Sequence, residues 1–242
     1  MKYNEGYLYG KRELERNSDY TMSHKFIKEY LQLDDSIFSH HDNCYYLENY
    51  SHLEYRGGHR YLRPSKCFKF VLKQGHHLFY NYQWTYSYHG TNSKNIKSIL
   101  QHGLKIPGTL AGEKIVWMEH GSTYGNGIYT SKIPLYSQLY APVIRWNGKY
   151  FQTILMVRQR SDSIDVQEGE GTYTVSTLDY LNYENLHKLY KGKISANEMQ
   201  YVCFDESSCI LHALLVKVHD YDPMDSDGGE YRKISKILDN LK

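Results

Sequence analysis

The fold of this 242-residue chain is decided by the stretch YHGTNSKNIKSILQHGL at residues 88–104. Its apolar residues recur at i, i+3 and i+4, the spacing of one helix face: Ile96, Ile99 and Leu100. Thr91 or Asn92 is a suitable N-cap, and Gly103 is a suitable end. The stretch therefore predicts a helix from Asn92 to His102, with a histidine and a glycine directly in front of it.

Segments of strand character surround this helix. Alternating or continuous apolar residues, many of them β-branched or aromatic, predict strands at Cys67–Lys73, Gln83–His89, Tyr150–Arg158, Tyr201–Phe204 and Ile210–Val218. Pro134 near a first helical position predicts a short helical turn over Pro134–Tyr140. The strands do not alternate regularly with helices, and neither a P-loop nor a GxGxxG motif occurs. The order of elements therefore predicts an α+β fold rather than a doubly wound parallel sheet.

The chain divides into a central domain and two appendages. Residues 1 to about 20 are predicted to be a polar leader. SHKFIKEYLQL at 23–33 predicts a short amphipathic helix capped by Ser23, so that the leader and its helix occupy residues 1–37. The domain follows over residues 38–219, beginning with an irregular region up to residue 65, in which RGGHR at 56–60 predicts a turn. Residues 220–242 are predicted to be an Asp/Gly-rich linker and a C-terminal helix.

Composition narrows the class of protein. The formal net charge is only +2, which gives no global electrostatic case for nucleic acid or membrane binding. The first thirty residues are charged and lack the apolar region of a signal peptide, and no apolar run is long enough to span a bilayer. Neither a secretory signal nor a membrane-spanning helix is therefore expected. The four cysteines show no CxxC spacing and predict reduced thiols in a cytoplasmic or nuclear protein. A zinc site remains an alternative where cysteines and histidines lie together: Cys44, Cys67, His40, His41, His52 and His59.

Two separated segments suggest a pocket for a flat amide ring on a ribose. His89 and Gly90 supply an imidazole and a position of close backbone approach, and GNGIYTS at 125–131 supplies Tyr129. A second aromatic ring follows eleven residues later at Tyr140. Their first interpretation is a nicotinamide-dinucleotide site. The long loop over residues 104–127 is expected to be functional and to form one wall of the acceptor side near Tyr124.

The central segments resemble the catalytic domain of the poly(ADP-ribose) polymerase type, the His-Tyr-Glu class of ADP-ribosyltransferases. Three stretches carry the resemblance: YHGT with the helix and Gly-Leu behind it, GNGIYTSKIPLYSQLY at 125–140, and QYVCFDESSCILHALLVKV at 200–218. In that family a Gly-Ile-Tyr is followed at plus eight by a small hydroxyl residue and at plus eleven by a tyrosine. Ser137 and Tyr140 stand at these distances from Tyr129. The resemblance covers roughly residues 66–219 and implies split antiparallel β-sheets with a few flanking helices.

The resemblance implies that NAD is bound as a substrate. His89 would donate a hydrogen bond to the adenosine-side ribose, and the backbone of Gly90 would hold the nicotinamide carboxamide. Tyr129 and Tyr140 would enclose the nicotinamide ring, and Ser137 would complete the hydrogen bonds of the carboxamide. The alternatives are a core histidine, a turn glycine, core aromatic rings in a chain of 26 tyrosines, and a helix-surface serine.

Three further residues qualify this interpretation. Thr91 would touch the ribose or only cap the helix. Gln200 stands where the family has its catalytic glutamate, so the carboxylate that stabilises the oxocarbenium character is replaced by a neutral amide. Glu198 lies two residues earlier, on the same face of a strand, and would restore part of the charge as a Glu-x-Gln pair. A solvated loop glutamate is the equally weighted alternative for Glu198.

The resemblance favours a mono-ADP-ribosyltransferase acting on a protein or, as a further possibility, a nucleic-acid acceptor, without membrane attachment and as a monomer. A weakly active or inactive domain that binds NAD or ADP-ribose is the first alternative. An RNA 2′-phosphotransferase-like enzyme is the second, although the arginines and histidines that such an enzyme needs around its phosphate are not found in order.

Overall fold

A long antiparallel sheet dominates the structure, a computed structural model that describes residues 7–8, 11–47, 53–74, 84–117, 125–166 and 200–223. The strands are β1 Tyr7–Leu8, β2 Cys44–Tyr46, β3 Leu53–Arg56, β4 His59–Leu62, β5 Cys67–Val71, β6 Trp84–Gly90, β7 Leu110–Ala111, β8 Lys114–Ile115, β9 Ile128–Ser131, β10 Ile144–Trp146, β11 Lys149–Arg160, β12 Asp165–Val166, β13 Gln200–Cys203 and β14 Cys209–His219. The helices are α1 Lys11–Arg16, α2 Ser18–Lys25, α3 Ser93–His102 and α4 Pro134–Gln138.

The sheet is split near its middle. Its strand order is β1-β2-β5-β14-β11-β6-β9-β13-β12, with β10 paired to β11 and every pair antiparallel. β11 and β14 form the long central pair, with a register shift between Met156 and Val157. In contrast, β6 meets β9 at the single pair Tyr88↔Ser131. The predicted α+β fold with split antiparallel sheets is confirmed, and the split leaves the ends of β6, β9 and β13 beside one another.

Each face of the sheet has its own covering. On one face α1, α2, a π-helical turn over Phe26–Tyr30 and α3 contribute to a large apolar core. On the other face a second core includes Tyr61 of β4 together with Tyr86, Tyr88 and Met156 of the sheet. Because both faces are covered, β11 and β14 are buried along most of their lengths, which matches their nearly continuous apolar sequences.

The predicted leader is wrong for residues 11–20, which contain α1 and the start of α2 and place Leu14 and Tyr20 in the core. The side chain of Asn17, not Ser23, caps α2 by accepting hydrogen bonds from the backbone N–H groups of Asp19 at 2.9 Å and Tyr20 at 3.1 Å. The Tyr20 ring stacks on Phe70 of β5 with a centroid separation of 5.4 Å. The apolar side chains of Tyr20 and of Leu14 in α1 anchor this otherwise polar segment in the core, and so few apolar residues leave no visible period in the sequence.

The prediction that residues 38–65 are irregular is also wrong. This region contains β2 and the β3–β4 hairpin, whose two-residue turn has Gly57 at φ 58° and Gly58 at φ 82°. Positive φ at both central positions is the requirement of a type I′ hairpin turn, and glycine meets it without strain. The turn itself was predicted at residues 56–60.

The elements around the deciding stretch are confirmed. The side chain of Asn92 caps α3 by accepting from the Lys94 N–H at 3.2 Å, and Gly103 ends the helix at φ 79°. The predicted strands correspond to β5, β6, β11, β13 and β14, and the predicted helical turn to α4. The predicted C-terminal helix lies outside the described residues. Within the described part of the chain, no helix is long and apolar enough to cross a membrane.

Candidate functional site

His89 joins the two halves of the split sheet. It lies next to the last residue of β6, where it pairs with Leu155 of β11. Its Nδ1 is 2.8 Å from the backbone carbonyl oxygen of Tyr129 on β9. A carbonyl oxygen only accepts hydrogen bonds, so Nδ1 carries the proton of this contact. The bond fixes the plane of the imidazole across the gap between the two half-sheets.

The protonation of His89 follows from its surroundings. Burial lowers the pKa of His89 below its ordinary value of 6.5, and the hydrogen bond to the Tyr129 carbonyl offsets this in part. The ring is therefore neutral at pH 7, with its proton on Nδ1 and a lone pair on Nε2. In this tautomer Nε2 can only accept a hydrogen bond, whereas the donation expected from the sequence would require the protonated ring.

Gly90 is in close contact with α4. A Cβ atom at this position would lie 1.8 Å from the backbone oxygen of Ser137 and 3.0 Å from the Cβ of Tyr140. The Ser137 hydroxyl, itself buried, donates to the backbone oxygen of Tyr88 at 2.8 Å. The absent side chain of Gly90 and this hydrogen bond together bring α4 against the end of β6. Since the Ser137 proton is used, its oxygen remains as an acceptor toward a ligand.

The helix α4 is short but held firmly. Pro134 stands at its start, where a missing N–H costs nothing. At its other end the side chain of Gln152, on β11, donates to the backbone oxygens of Gln138 and Ala141 at 2.8 Å each. These bonds add to the one that the Gln138 oxygen accepts from the Ala141 N–H, and they hold the last turn of the helix against β11. The position of α4 is therefore set by the sheet beneath it.

A chain of polar contacts connects α4 to β13. Gln200, the first residue of β13, pairs with Ser131 of β9, and its side-chain Nε2 donates to the hydroxyl of Tyr136. The Tyr136 hydroxyl is 3.1 Å from that of Tyr140, and the two rings are 5.6 Å apart at an interplanar angle of 60°. Gln200 and Tyr140 therefore lie in one cluster with a residue that the sequence reasoning missed. Its position four residues before Tyr140, one turn earlier in the predicted helical segment, could have indicated that Tyr136 lies beside Tyr140.

Tyr129 shares a sheet face with Gln200. In the antiparallel pair β9–β13, Tyr129 is opposite Val202 and Ser131 is opposite Gln200, and opposed residues project to the same side. The Tyr129 hydroxyl donates to the backbone oxygen of Gly125 at 2.8 Å, which fixes the direction of the half-exposed ring.

Thr91 and Glu198 were also predicted to be site residues. The Thr91 hydroxyl accepts a hydrogen bond from the Asn95 side chain at 3.3 Å, so it supports α3 from the side while Asn92 provides the cap. Glu198 lies outside the described residues, and so does Tyr124 in the long loop.

The first part of that loop is anchored by Glu206. This residue follows β13 and accepts hydrogen bonds from the Lys105 Nζ at 2.6 Å, the Ile106 N–H at 2.9 Å and the Thr109 hydroxyl at 2.8 Å. Burial opposes ionisation, but these donors lower the pKa of Glu206 below its ordinary value. The carboxylate thus ties the loop carrying β7 and β8 to the β13–β14 turn, near the candidate site.

Replacing Glu206 by alanine is expected to release residues 104–117 and to lower the free energy of unfolding by about 1.5–3 kcal/mol, the usual range for a hydrogen bond to a charged group. Glu206→Gln, which keeps one carbonyl acceptor, is the matched control and should lie between. Hydrogen exchange of the amides at 104–117 and chemical denaturation measure both effects. Unchanged exchange in the alanine variant would show that the loop is held by other contacts.

The candidate zinc ligands do not form a metal site within the described residues. Cys44 and Cys67 lie on the neighbouring strands β2 and β5 as free, buried thiols. Burial raises the pKa of Cys67 to about 12, and a protonated thiol is a poor metal ligand. No group of three or more His, Cys, Asp or Glu side chains suited to a metal ion occurs in the described ranges, and His52 lies outside them.

Comparison with known proteins agrees with this geometry. Residues 71–160 match the family model of the poly(ADP-ribose) polymerase catalytic domain, whereas no curated protein matches the chain. The matched part contains β6, α3, β9, α4 and β11, and so the residues that meet around His89 and Gly90; it ends before Gln200. This match spans less than half of the chain, and it makes the segment that contributes β6, β9 and β11 to the split antiparallel sheet similar to an ADP-ribosyltransferase catalytic domain of the poly(ADP-ribose) polymerase type.

Proposed function

We propose that this protein is an NAD-dependent mono-ADP-ribosyltransferase that modifies a macromolecular acceptor, a protein in the first place and a nucleic acid in the second. The observation that carries the proposal is the convergence of the predicted residues within the family-matched segment. His89 contacts Tyr129 across the split, and Gly90 contacts both Ser137 and Tyr140. These contacts link segments forty to fifty residues apart at the split in the sheet.

Each residue has a defined part in holding NAD. The Nε2 of His89 would accept from a hydroxyl of the adenosine-side ribose. The backbone of Gly90 and the oxygen of Ser137 would hold the nicotinamide carboxamide, whose NH₂ group requires acceptors. Tyr129 and Tyr140 would lie against the two faces of the nicotinamide ring, an aromatic contact that contributes about 0.5–1.5 kcal/mol beyond its buried area.

The reaction breaks one bond and forms another. The bond between the nicotinamide nitrogen and the ribose C1′ breaks, and nicotinamide leaves as a neutral molecule with the bonding electrons. A nucleophile on the acceptor forms the new bond to C1′ and loses a proton. Positive charge builds on the ribose meanwhile, and Gln200 offers it a neutral amide oxygen, which stabilises it less than a carboxylate would.

This neutral residue favours a single transfer. Extending a polymer requires a base to take the proton of the incoming ribose hydroxyl, and an amide does not act as one at neutral pH. Gln200 also supports a second candidate, a domain that binds NAD or ADP-ribose without turnover, because its amide is already engaged with the Tyr136 hydroxyl. The four free, buried cysteines are compatible with a reducing cytoplasmic or nuclear setting.

Incubation with labelled NAD tests the proposal through His89. His89→Ala is expected to weaken NAD binding about tenfold, the effect of one lost hydrogen bond, and to lower label transfer to protein by at least as much. Titration calorimetry measures the affinity, and autoradiography after denaturing electrophoresis measures the transfer.

His102→Ala is the matched control, because His102 is exposed at the end of α3, away from the cluster. It should leave both quantities unchanged. Label transfer by His89→Ala at the wild-type rate would refute the assignment of this site. Wild-type binding of NAD without any transfer would favour the binding domain over the transferase.

A further inference from the structure

Among the described residues, the side chain of Gln200 is held at its Nε2 end. Its Nε2 donates to Tyr136, and its backbone is fixed by the pairing of β13 with β9. A primary amide has a donor end and an acceptor end, and they point in opposite directions. When Nε2 faces Tyr136, the carbonyl Oε1 faces away from α4. We propose, on the basis of the function proposed above, that Tyr136 is a positioning residue that turns Oε1 of Gln200 toward the nicotinamide-side ribose of NAD.

Tyr136 is suited to impose this orientation because it is immobilised. Its side chain is 4 % exposed, and it lies in the helix that Gln152 and the Gly90 contact fix from both sides. Its hydroxyl also meets the Tyr140 hydroxyl at 3.1 Å, so the oxygen that receives the Gln200 N–H is held in place by a second contact. When the Tyr136 hydroxyl donates its proton to the Tyr140 oxygen, it can only accept from Gln200, and it then selects the amide orientation that turns Nε2 toward it.

The orientation matters only because residue 200 is an amide. A ribose hydroxyl has a proton to donate, so it requires an acceptor at residue 200. Both oxygens of a carboxylate accept, and a glutamate would present an acceptor whichever way it turned. A glutamine presents an acceptor in one orientation and the two N–H donors in the other. With Tyr136 holding its Nε2, Gln200 is therefore expected to favour a ribose whose hydroxyl can donate to Oε1 over a sugar that lacks this hydroxyl.

The kinetic test compares the same substitution in two backgrounds. Tyr136→Phe removes the hydroxyl and keeps the ring. In the wild-type chain we expect it to lower kcat/KM for NAD about tenfold, the effect of one hydrogen bond. In a Gln200→Glu chain we expect Tyr136→Phe to change kcat/KM about twofold or less, because a glutamate presents an acceptor in either orientation. A change of this size is within the deviation found for residues that do not depend on each other. Equal losses in both backgrounds would mean that Tyr136 supports the fold only, and would overturn the proposal.

A measurement without NAD separates this proposal from the proposed function. The side-chain amide signals of Gln200 in a ¹⁵N-labelled sample, assigned by their loss in Gln200→Glu, should shift in Tyr136→Phe and remain in place in Tyr55→Phe. Tyr55 is the control because it is 72 % exposed on the β3–β4 hairpin. Unshifted signals in Tyr136→Phe would overturn the positioning role whatever the activity. Shifted signals in a chain that binds no NAD would confirm the hydrogen bond, refute the proposed function and, with it, the role toward ribose.

Discussion

Gly90→Ala is expected to lower NAD affinity about 100-fold and the free energy of unfolding by about 3 kcal/mol. The added Cβ would lie 1.8 Å from the backbone oxygen of Ser137, a distance that no side-chain rotation relieves. Overpacking a buried site commonly costs about 1–3 kcal/mol, and a backbone clash belongs at the upper end of that range. To accommodate the methyl group α4 must move, and a displacement of about 1 Å in a site is enough for a 100-fold loss.

The displacement of α4 would have several consequences at once. The bond from Ser137 to the Tyr88 carbonyl would lengthen, and Tyr136 and Tyr140 would shift relative to Gln200. The variant therefore removes more of the site than the loss of His89, which takes away one hydrogen bond. Chemical denaturation and calorimetry with NAD measure the two effects separately.

Ser87→Ala is the matched control for Gly90→Ala. Ser87 lies on the same strand, and its buried hydroxyl finds no hydrogen-bond partner among the described residues. Removing a buried hydroxyl that has no partner is expected to be neutral or slightly stabilising. If Gly90→Ala bound NAD within about threefold of the wild type, well short of the 100-fold loss that a displaced site should suffer, α4 would not be seated on β6 as described.

The elements with strong local patterns were predictable from the sequence. The apolar stripe of α3, its asparagine cap and its terminal glycine are all encoded within a dozen residues, and the long apolar strands β11 and β14 are equally plain. The β3–β4 hairpin was missed although its Gly57-Gly58 turn was recognised, because strands of four residues with polar edges show too little alternation to be distinguished from a loop.

The missed parts of the site depend on contacts between distant residues. Gln200 meets Tyr136 across 64 positions, and Lys105 meets Glu206 across 101. Neither pair leaves a period or a motif, since each side chain is placed by the pairing of β9 with β13 or by the turn after it. The two sequence segments, and the family resemblance after them, supplied His89, Tyr129 and Tyr140. The residues that support them could be found only from the assembled sheet.

Gln200→Glu is expected to raise NAD turnover about 100-fold. Residue 200 shares a sheet face with Tyr129 and lies against the Tyr136–Tyr140 pair, so a carboxylate there would be next to the charge that develops on the ribose. One preorganised group that stabilises the charge developing in the transition state is commonly worth about 100- to 1,000-fold in kcat, and a carboxylate at residue 200 would supply such a group. The gain should therefore appear in kcat rather than KM, as measured by the release of labelled nicotinamide.

The substituted side chain should fit without rearrangement. Glutamate has nearly the shape of glutamine, and the Tyr136 hydroxyl, which accepts from the amide, can donate to a carboxylate. Gln101→Glu provides a control for the change in net charge alone, because Gln101 is exposed on α3. It should leave turnover unchanged. A gain at residue 200 that Gln101→Glu does not reproduce would show that the charge acts locally.

The same variant decides between the two candidate functions. If both the wild type and Gln200→Glu bind NAD but neither releases nicotinamide, the missing charge is not what limits the reaction, and the site is a binding pocket. If the wild type turns NAD over slowly and the variant does so faster, the pocket is catalytically competent and residue 200 sets its rate. A variant that is faster and also adds more than one ADP-ribose to each acceptor would show that Gln200 restricts the wild type to single transfers.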